Sequence, residues 1–248
     1  MKHNKFRSPS TSQNSRSNPV YFCTPIQAKT LLSEGRELLL FVRHGLTDWN
    51  VQMRLQGREE VPLNDLGKEQ AEELASLLRR IGFKGSIYAS PLSRAKDTAT
   101  IISEKLELPD PIVLESLIER DYSSLSGLTM AERRERFPSP KDYPSDIESV
   151  TSAALRMKKV ALELCLSSDG SADKITVAVT HGGVINSLFS YLTRGRVGMG
   201  NHVAKNCTVS AVASGPADII PLAFNLHGEA FADYVNGIDQ NISKKENN

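Results

Sequence analysis

The sequence predicts an α/β fold: a three-layer α/β/α sandwich around a mainly parallel central sheet. Three observations predict it. Short apolar runs rich in Leu, Val and Ile recur along the chain, bounded by glycine or proline. Amphipathic stretches with apolar residues at helical spacing lie between them. Strands that alternate with helices pair in parallel, and such sheets are covered on both faces.

The elements run in this order. Met1 to about Asn18 carries Lys2, Lys5, Arg7 and Arg16 among five serines, and no acid precedes Glu34. Such a stretch buries too little apolar surface to order itself, so residues 1–18 are expected to be a disordered extension. A basic, Ser-rich, acid-free segment is also the composition of an organellar transit peptide, and it lacks the apolar core of a secretory signal. A plain extension on a cytoplasmic protein is the expectation. A short helix is predicted over Ile26–Leu32 and the first strand over Leu38–Val42. Leu46–Leu63 has no clean period and reads as a loop punctuated by Gly57 and Pro62. A helix capped by Asn64 or Asp65 comes next, with Leu66, Gln70, Leu74, Leu77, Leu78 and Ile81 at helical spacing, and Gly82 and Gly85 end it.

Ser86–Ala89 is a short strand running into Ser90-Pro91. Leu92–Leu106 is a helix with Ala95, Ala99, Ile102 and Leu106 on one face, and Ile112–Leu114 is a third strand. Glu115–Pro144 is irregular apart from a short helix over Met130–Phe137; a stretch this long inside a compact domain is usually a functional lid. The lid insertion is set at about residues 120–148. A long helix spans Ser149–Leu166, with Val150, Ala154, Met157, Ala161 and Leu164 inward. Lys174–Thr180 is a strand, Val184–Leu192 a helix, and Thr208–Ala213 and Ile219–Leu226 are strands. One domain over 19–242 with a flexible tail at 243–248 completes the expectation.

A 248-residue chain with 40% hydrophobic and 24% charged residues reads as globular and soluble. Its net charge of +1 gives no bulk case for binding nucleic acid or membrane. Cys23, Cys165 and Cys207 are odd in number and widely spaced, which argues against a disulfide framework and a zinc site. They read as small hydrophobes in a reducing compartment.

Function is written at the strand ends. The first strand ends in Arg43-His44-Gly45, a later one in Thr180-His181-Gly182-Gly183. In open α/β sheets ligands sit beyond the carboxyl ends of the strands. Two histidines delivered there, each followed by glycine, are hard to explain as packing. The glycines let backbone N–H groups approach an anion, and the helix start after Gly183 adds partial positive charge. Arg94 opens a helix near the same rim. With Arg43 it supplies two guanidinium forks, the donors that a phosphate needs. Glu119, alone among solvent-facing acids, would mean little; beside two histidines and two arginines it is the candidate proton carrier.

These residues carry a resemblance to the histidine phosphatase superfamily, in its phosphoglycerate mutase-like branch. The matching blocks are Arg43-His44-Gly45 with Thr47, Trp49 and Asn50; Gln56-Gly57; Ser90-Pro91-Leu92 with Arg94-Ala95 and Thr98-Ala99; Glu119 with Gly127 to Glu132; Glu148-Ser149; and Thr180-His181-Gly182. They recur in the family's order over roughly Leu38 to Val212. The resemblance implies that His44 is a nucleophile that takes phosphate. Its imidazole must be neutral, and the nearby arginines push its pKa down. Arg43, Arg94 and His181 would hold the phosphoryl oxygens, with Asn50 as a neutral donor. Glu119 would protonate the leaving alcohol and then activate water. Gln56, Gly57, Tyr122 and Gly182 would complete the substrate site. No metal or other cofactor is expected, since the cations are supplied by side chains.

The nearest alternative is a phosphoglycerate mutase, which must retain its intermediate behind a closed lid with extra cations; Arg133 and Arg134 are the candidates, and the outer face of a charged helix is their plainer reading. The lid departs from the common phosphatase pattern, with Ser123 where a glycine often stands and Leu125-Ser126 where Trp-Glu does. A phospho-ligand adaptor is opposed by the four intact catalytic positions. A zinc hydrolase would need a third ligand, and His202 and His227 sit in no supporting pattern. A serine hydrolase lacks its G-x-S-x-G. The expected partner is a small phosphomonoester, with a homodimer left open and selectivity assigned to Tyr122–Tyr143 and the neighbourhood of Asn206.

Overall fold

The computed structural model describes residues 18–166, 175–198, 200 and 202–239. The expected extension at 1–18, but for its last residue, and the tail at 243–248 lie outside the described residues. Seven strands form one mixed sheet: β1 (Val20–Tyr21), β2 (Glu37–Arg43), β3 (Ile87–Ala89), β4 (Ile112–Val113), β5 (Ile175–Thr180), β6 (Val209–Ser214) and β7 (Ile219–Leu226). Their order is β1-β7-β6-β2-β5-β3-β4. β2, β5, β3 and β4 run parallel, and β6, β7 and β1 add an antiparallel flank. Eight α-helices are described: α1 (Pro25–Ser33), α2 (Asp48–Val51), α3 (Asp65–Arg80), α4 (Ser93–Leu106), α5 (Met130–Arg136), α6 (Val150–Leu166), α7 (Gly182–Leu192) and α8 (Gly228–Asp239). None is long and apolar enough to cross a membrane.

The alternation of β2 builds the sandwich. Leu38, Leu40 and Val42 face one cluster with Leu74, Leu78, Ala95 and Phe231 from α3, α4 and α8. Leu39 and Phe41 face the other, with Met157 from α6 and Ile185 and Leu188 from α7. A strand covered on both faces must be apolar on both, which is why its five central residues form a continuous run. Truncating one of these leucines to alanine costs about 2–5 kcal/mol in a close-packed core.

Four departures from expectation stand out, and the first two have local causes. Leu46–Leu63 is not wholly loop: Thr47 and Asn50 form a reciprocal capping box that starts α2. Leu66 does not face inward but is 51% exposed. Gly67, Ala71, Leu74 and Leu78 take the buried face of α3 instead. The rotation comes from a backbone contact. A side chain at Gly67 would overlap the Leu46 carbonyl, and one at Gly45 would overlap the Gly67 carbonyl. The helix therefore lies directly on the loop after β2. Leu106 and Val150, expected inward, are only partly buried. β1 and α8 had no counterpart among the elements expected from the sequence.

Candidate active site

Register delivers the site. Arg43 pairs with Thr180 across β2 and β5, and Ala89 pairs with Val179 across β3 and β5. The three strands are parallel, so His44, His181 and Ser90 emerge at one rim. The His44 and His181 rings lie 5.2 Å apart, centroid to centroid. Both are buried, at 2% and 0% exposure.

His44 Nδ1 lies 2.7 Å from its neighbour's carbonyl, that of Gly45. A carbonyl only accepts, so Nδ1 carries the proton and Nε2 the lone pair. Burial pushes the His44 pKa well below its ordinary value, and the Arg43 and Arg94 charges push it the same way. Burial, Arg94, His44 and Arg43 do the same to His181. Both rings are neutral at neutral pH. His181 Nε2 pairs with the Ser90 hydroxyl at 2.7 Å.

Around the two rings stand buried nitrogens without a protein partner: Arg43 Nε, Arg94 Nε and His181 Nδ1. An unpaired buried donor costs about 1–3 kcal/mol, so each such atom calls for an explanation. Arg94, at that rim, is fully buried. Its Nη1 and Nη2 donate to the Glu59 and Gly57 carbonyls, both at 2.7 Å, which fixes the guanidinium plane. Burial lowers its pKa to about 10, which leaves it charged at neutral pH. Arg43 donates to the Ala204 carbonyl at 2.8 Å. A side chain at Gly182 would meet the Arg43 guanidinium at 3.1–3.2 Å, so Gly182 leaves room for that cation at the start of α7.

Glu119 is buried, and three backbone N–H groups hold its carboxylate: Gly183 at 2.8 Å, Val184 at 3.0 Å and Arg120 at 2.7 Å. The helix start expected to greet a ligand anion thus greets Glu119. The Gly45 N–H is committed as well, donating to Thr98 Oγ1 at 3.0 Å. The Gly45, Gly183 and Val184 amides are thus taken by Thr98 and Glu119, and the unpaired donors around the rings are side chains. Tyr122 packs over Gly57, and its hydroxyl together with Glu119 fills the space a side chain at Gly183 would take. Burial and the Glu119 charge raise the Tyr122 pKa, so the phenol keeps its proton.

Asn50 Oδ1 accepts from Thr47 N, Thr47 Oγ1 and Asn206 Nδ2, which leaves its amide nitrogen as a donor. Gln56 is buried with Oε1 unpaired. Gly57 acts through its carbonyl, by aiming Arg94. Asn206, placed by the sequence only in the neighbourhood of selectivity, reaches under the histidine instead. Its amide donates to the His44 and Gly45 carbonyls at 3.0 and 3.1 Å. Ser90 and Asn206 were missed as site residues. Ser90 had a signal, since it ends a strand; Asn206 had none short of the fold.

The lid is clasped to the segment after α2. Gly127 N donates to Leu55 O and Leu55 N to Leu128 O, at 2.7 and 3.1 Å. Arg54 adds Gly127 O and an ion pair with Glu132. Among the described residues no three or more His, Cys, Asp or Glu side chains cluster as a metal site would need. A separate cavity of about 630 Å³ between β1, α1 and α8, lined by Tyr21, Phe22, Pro25 and Tyr234, shares no residue with the histidine site.

Two neutral histidines, two buried guanidiniums and a held carboxylate thus gather at the ends of parallel strands. Residues 39–225 match the model of the histidine phosphatase superfamily (branch 1), and the chain belongs to that family. It is 35% identical over 154 residues to the uncharacterized phosphatase PhoE of Bacillus subtilis, covering 62% of this chain and 76% of that one. It is 33% identical over 172 residues to a metal-independent phosphoserine phosphatase of Arabidopsis thaliana, covering 65% and 71%. A mycobacterial glucosyl-3-phosphoglycerate phosphatase complexed with VO3 superposes with a TM-score of 0.66 at 28% identity, over 76% of this chain and 98% of that one.

Proposed function

We propose that the chain hydrolyses small phosphomonoesters through a phosphohistidine at His44, without a metal ion. The observation that carries this is the fixed His44 tautomer: Nδ1–H is held by Gly45, and the Nε2 lone pair stands among unpaired cationic donors. Nε2 attacks phosphorus and the bond to the ester oxygen breaks. The Glu119 carboxylate first takes the proton of the bound phosphomonoester monoanion and then gives it to that oxygen, releasing the alcohol and leaving phosphohistidine and a carboxylate again. The carboxylate then takes a proton from water, whose oxygen attacks phosphorus. The P–N bond breaks, its electron pair returns to Nε2, and inorganic phosphate leaves. Arg43, Arg94 and His181 hold the three equatorial oxygens as charge spreads over them, with the Asn50 amide as a fourth donor. Ser90 donates its hydroxyl proton to His181 Nε2, which leaves Nδ1–H for the phosphate.

Phosphatase rather than mutase is favoured by the state of the lid cations. Arg54 is spent on Gly127 O and Glu132, Arg58 on Glu119 O, Asp121 and Glu148, and Arg120 on Glu148 O. Arg133 turns back to the Thr129 carbonyl of its own helix. None of these four is left as a second phosphate clamp, and Arg134, the other candidate, lies exposed on α5. Assay on a phosphomonoester panel that includes 3-phosphoglycerate and 2,3-bisphosphoglycerate tests the proposal. Phosphate release without isomerisation, undiminished in EDTA, is expected. Isomerisation, or loss of activity to the chelator, would overturn it.

A further inference from the structure

The Glu148-Ser149 motif takes no direct part in phosphoryl transfer, yet Glu148 is among the most heavily bonded side chains near the site. We infer that Glu148 and Arg156 form a positioning pair that holds Glu119 at the reacting oxygen. The inference rests on Glu119 being the proton carrier.

The segment that bears Glu119 has no strand to hold it. Its carbonyls take side-chain donors instead. Arg156 Nη1 donates to Ser116 O and Ile118 O, each at 2.8 Å. Thr180 Oγ1 donates to Leu117 O at 2.6 Å, and Arg58 Nε to Glu119 O at 3.2 Å. Arg156 therefore grips the peptide immediately before Glu119, and the one two residues further back. Its own geometry is set by Glu148, which accepts from Nε at 3.1 Å and from Nη2 at 3.0 and 2.8 Å across its two oxygens. Glu148 also grips the other side of Glu119. Its backbone carbonyl accepts from Arg120 Nη2 at 2.7 Å, and its N–H donates to Asp121 O at 2.9 Å. One ion pair thus brackets Glu119 from both directions along the chain. The pair is mostly withdrawn from solvent, with side-chain exposures of 12% for Glu148 and 21% for Arg156. A forked guanidinium suits the task, because a lysine cannot bond two carbonyls and a carboxylate from fixed directions. Neither residue bonds Arg43, His44 or Arg94, so the phosphate donors stay in place without it.

This arrangement makes a prediction that a merely structural role does not. A misplaced proton carrier matters only when the leaving group needs a proton. An alkoxide does; p-nitrophenolate leaves as a stable anion. General acid catalysis contributes about 10²–10⁴-fold, and a misplacement of about 1 Å forfeits about 10²-fold. The test measures kcat/KM, which reports phosphorylation of His44, for an alkyl phosphate and for p-nitrophenyl phosphate. The variants are Arg156→Lys, Glu148→Gln and, as reference, Glu119→Gln. Arg156→Lys keeps the positive charge that acts on His181 and loses only the fork. Melting temperature and inhibition by vanadate check that each variant is folded with its phosphate site intact.

Glu119→Gln should lower the alkyl ester far more than the aryl ester. Arg156→Lys and Glu148→Gln should show the same split at smaller size, about 10–10²-fold on the alkyl ester and under about 5-fold on the aryl ester. Equal losses on both esters, or none, with the split present in Glu119→Gln, would overturn the positioning role. Absence of the split in Glu119→Gln itself would overturn the reading of Glu119 on which the inference rests.

Discussion

His44 and His181 leave neighbouring strands at the same level, one residue beyond the paired Arg43 and Thr180. The backbone beyond each histidine differs, and the difference gives the two rings opposite hydrogen bonds. After His44 the chain loops away, and the Gly45 carbonyl, outside any helix, turns back to take Nδ1–H. After His181 a helix begins at once, and the His181 carbonyl is committed to Ile185 N at 3.1 Å. No local carbonyl takes that ring, so it reaches across to Ser90 through Nε2. One imidazole presents a lone pair, the other a ring nitrogen free to donate. In the mechanism we propose, the course of the chain after each strand, rather than the residue type, decides which histidine attacks and which one binds.

The largest expected effect breaks the attacking side. His44→Ala should remove at least about 10⁴ from kcat, with no label retained on the protein after quenching a reaction with ³²P-labelled substrate. His181→Ala should cost about 10²–10³, the scale of removing one donor to developing charge, and should still trap label from an activated ester. Equal losses in the two variants, or label retained without His44, would erase the distinction.

Acidity sharpens the comparison in a different way, because here the two histidines act alike. Each has a native pKa depressed below its value in the unfolded chain. Below about pH 6.5 the unfolded state then binds more protons than the native one, so stability falls as pH falls. The slope is at most about 1.4 kcal/mol per pH unit for each ring, present between about pH 6.5 and the depressed native value. Urea unfolding between pH 7 and pH 5 should show this slope, shallower by one proton in His181→Ala. An unchanged slope in that variant would mean that His181 is protonated in the native state.

The same contrast explains what the sequence could and could not convey. Arg43-His44-Gly45 and Thr180-His181-Gly182 are contiguous, so the two strand ends and the side chains they bring together are legible without coordinates. The central strand is equally plain, because burial on both faces leaves an unbroken apolar run from Leu38 to Val42. Partners joined only through space are not. Asn206 lies 162 residues from the His44 carbonyl it supports. Arg156 lies 38 residues from the Ile118 carbonyl it grips. The rotation of α3 is set by a backbone contact between Gly45 and Gly67, which leaves no apolar signature; the visible Leu66 then points to solvent. α8 was hidden for another reason. Phe231, Ala232, Val235 and Ile238 do fall on a buried stripe, but Asn236 and Gly237 within it lower helix propensity. Tertiary packing overrides that preference.

The smallest expected effect lies with Ser90, and it tests the comparison most directly. Ser90 touches no reacting atom. Its hydroxyl meets His181 Nε2 at 2.7 Å and accepts from Leu92 N at 3.4 Å. If it serves to hold the proton on His181 Nδ1, removing it frees the ring to exchange tautomers while Arg43, Arg94 and His44 keep their places. Ser90→Ala should therefore lower kcat by about 10-fold, less than loss of the ring itself, because a second tautomer is admitted rather than the donor deleted. Nitrogen chemical shifts of the labelled imidazoles should show His181 moving from one tautomer toward a mixture, with His44 unchanged because its own proton is held by Gly45. A shift at His44 equal to that at His181 would mean the two rings share one hydrogen-bonded unit, and the division of labour would fail.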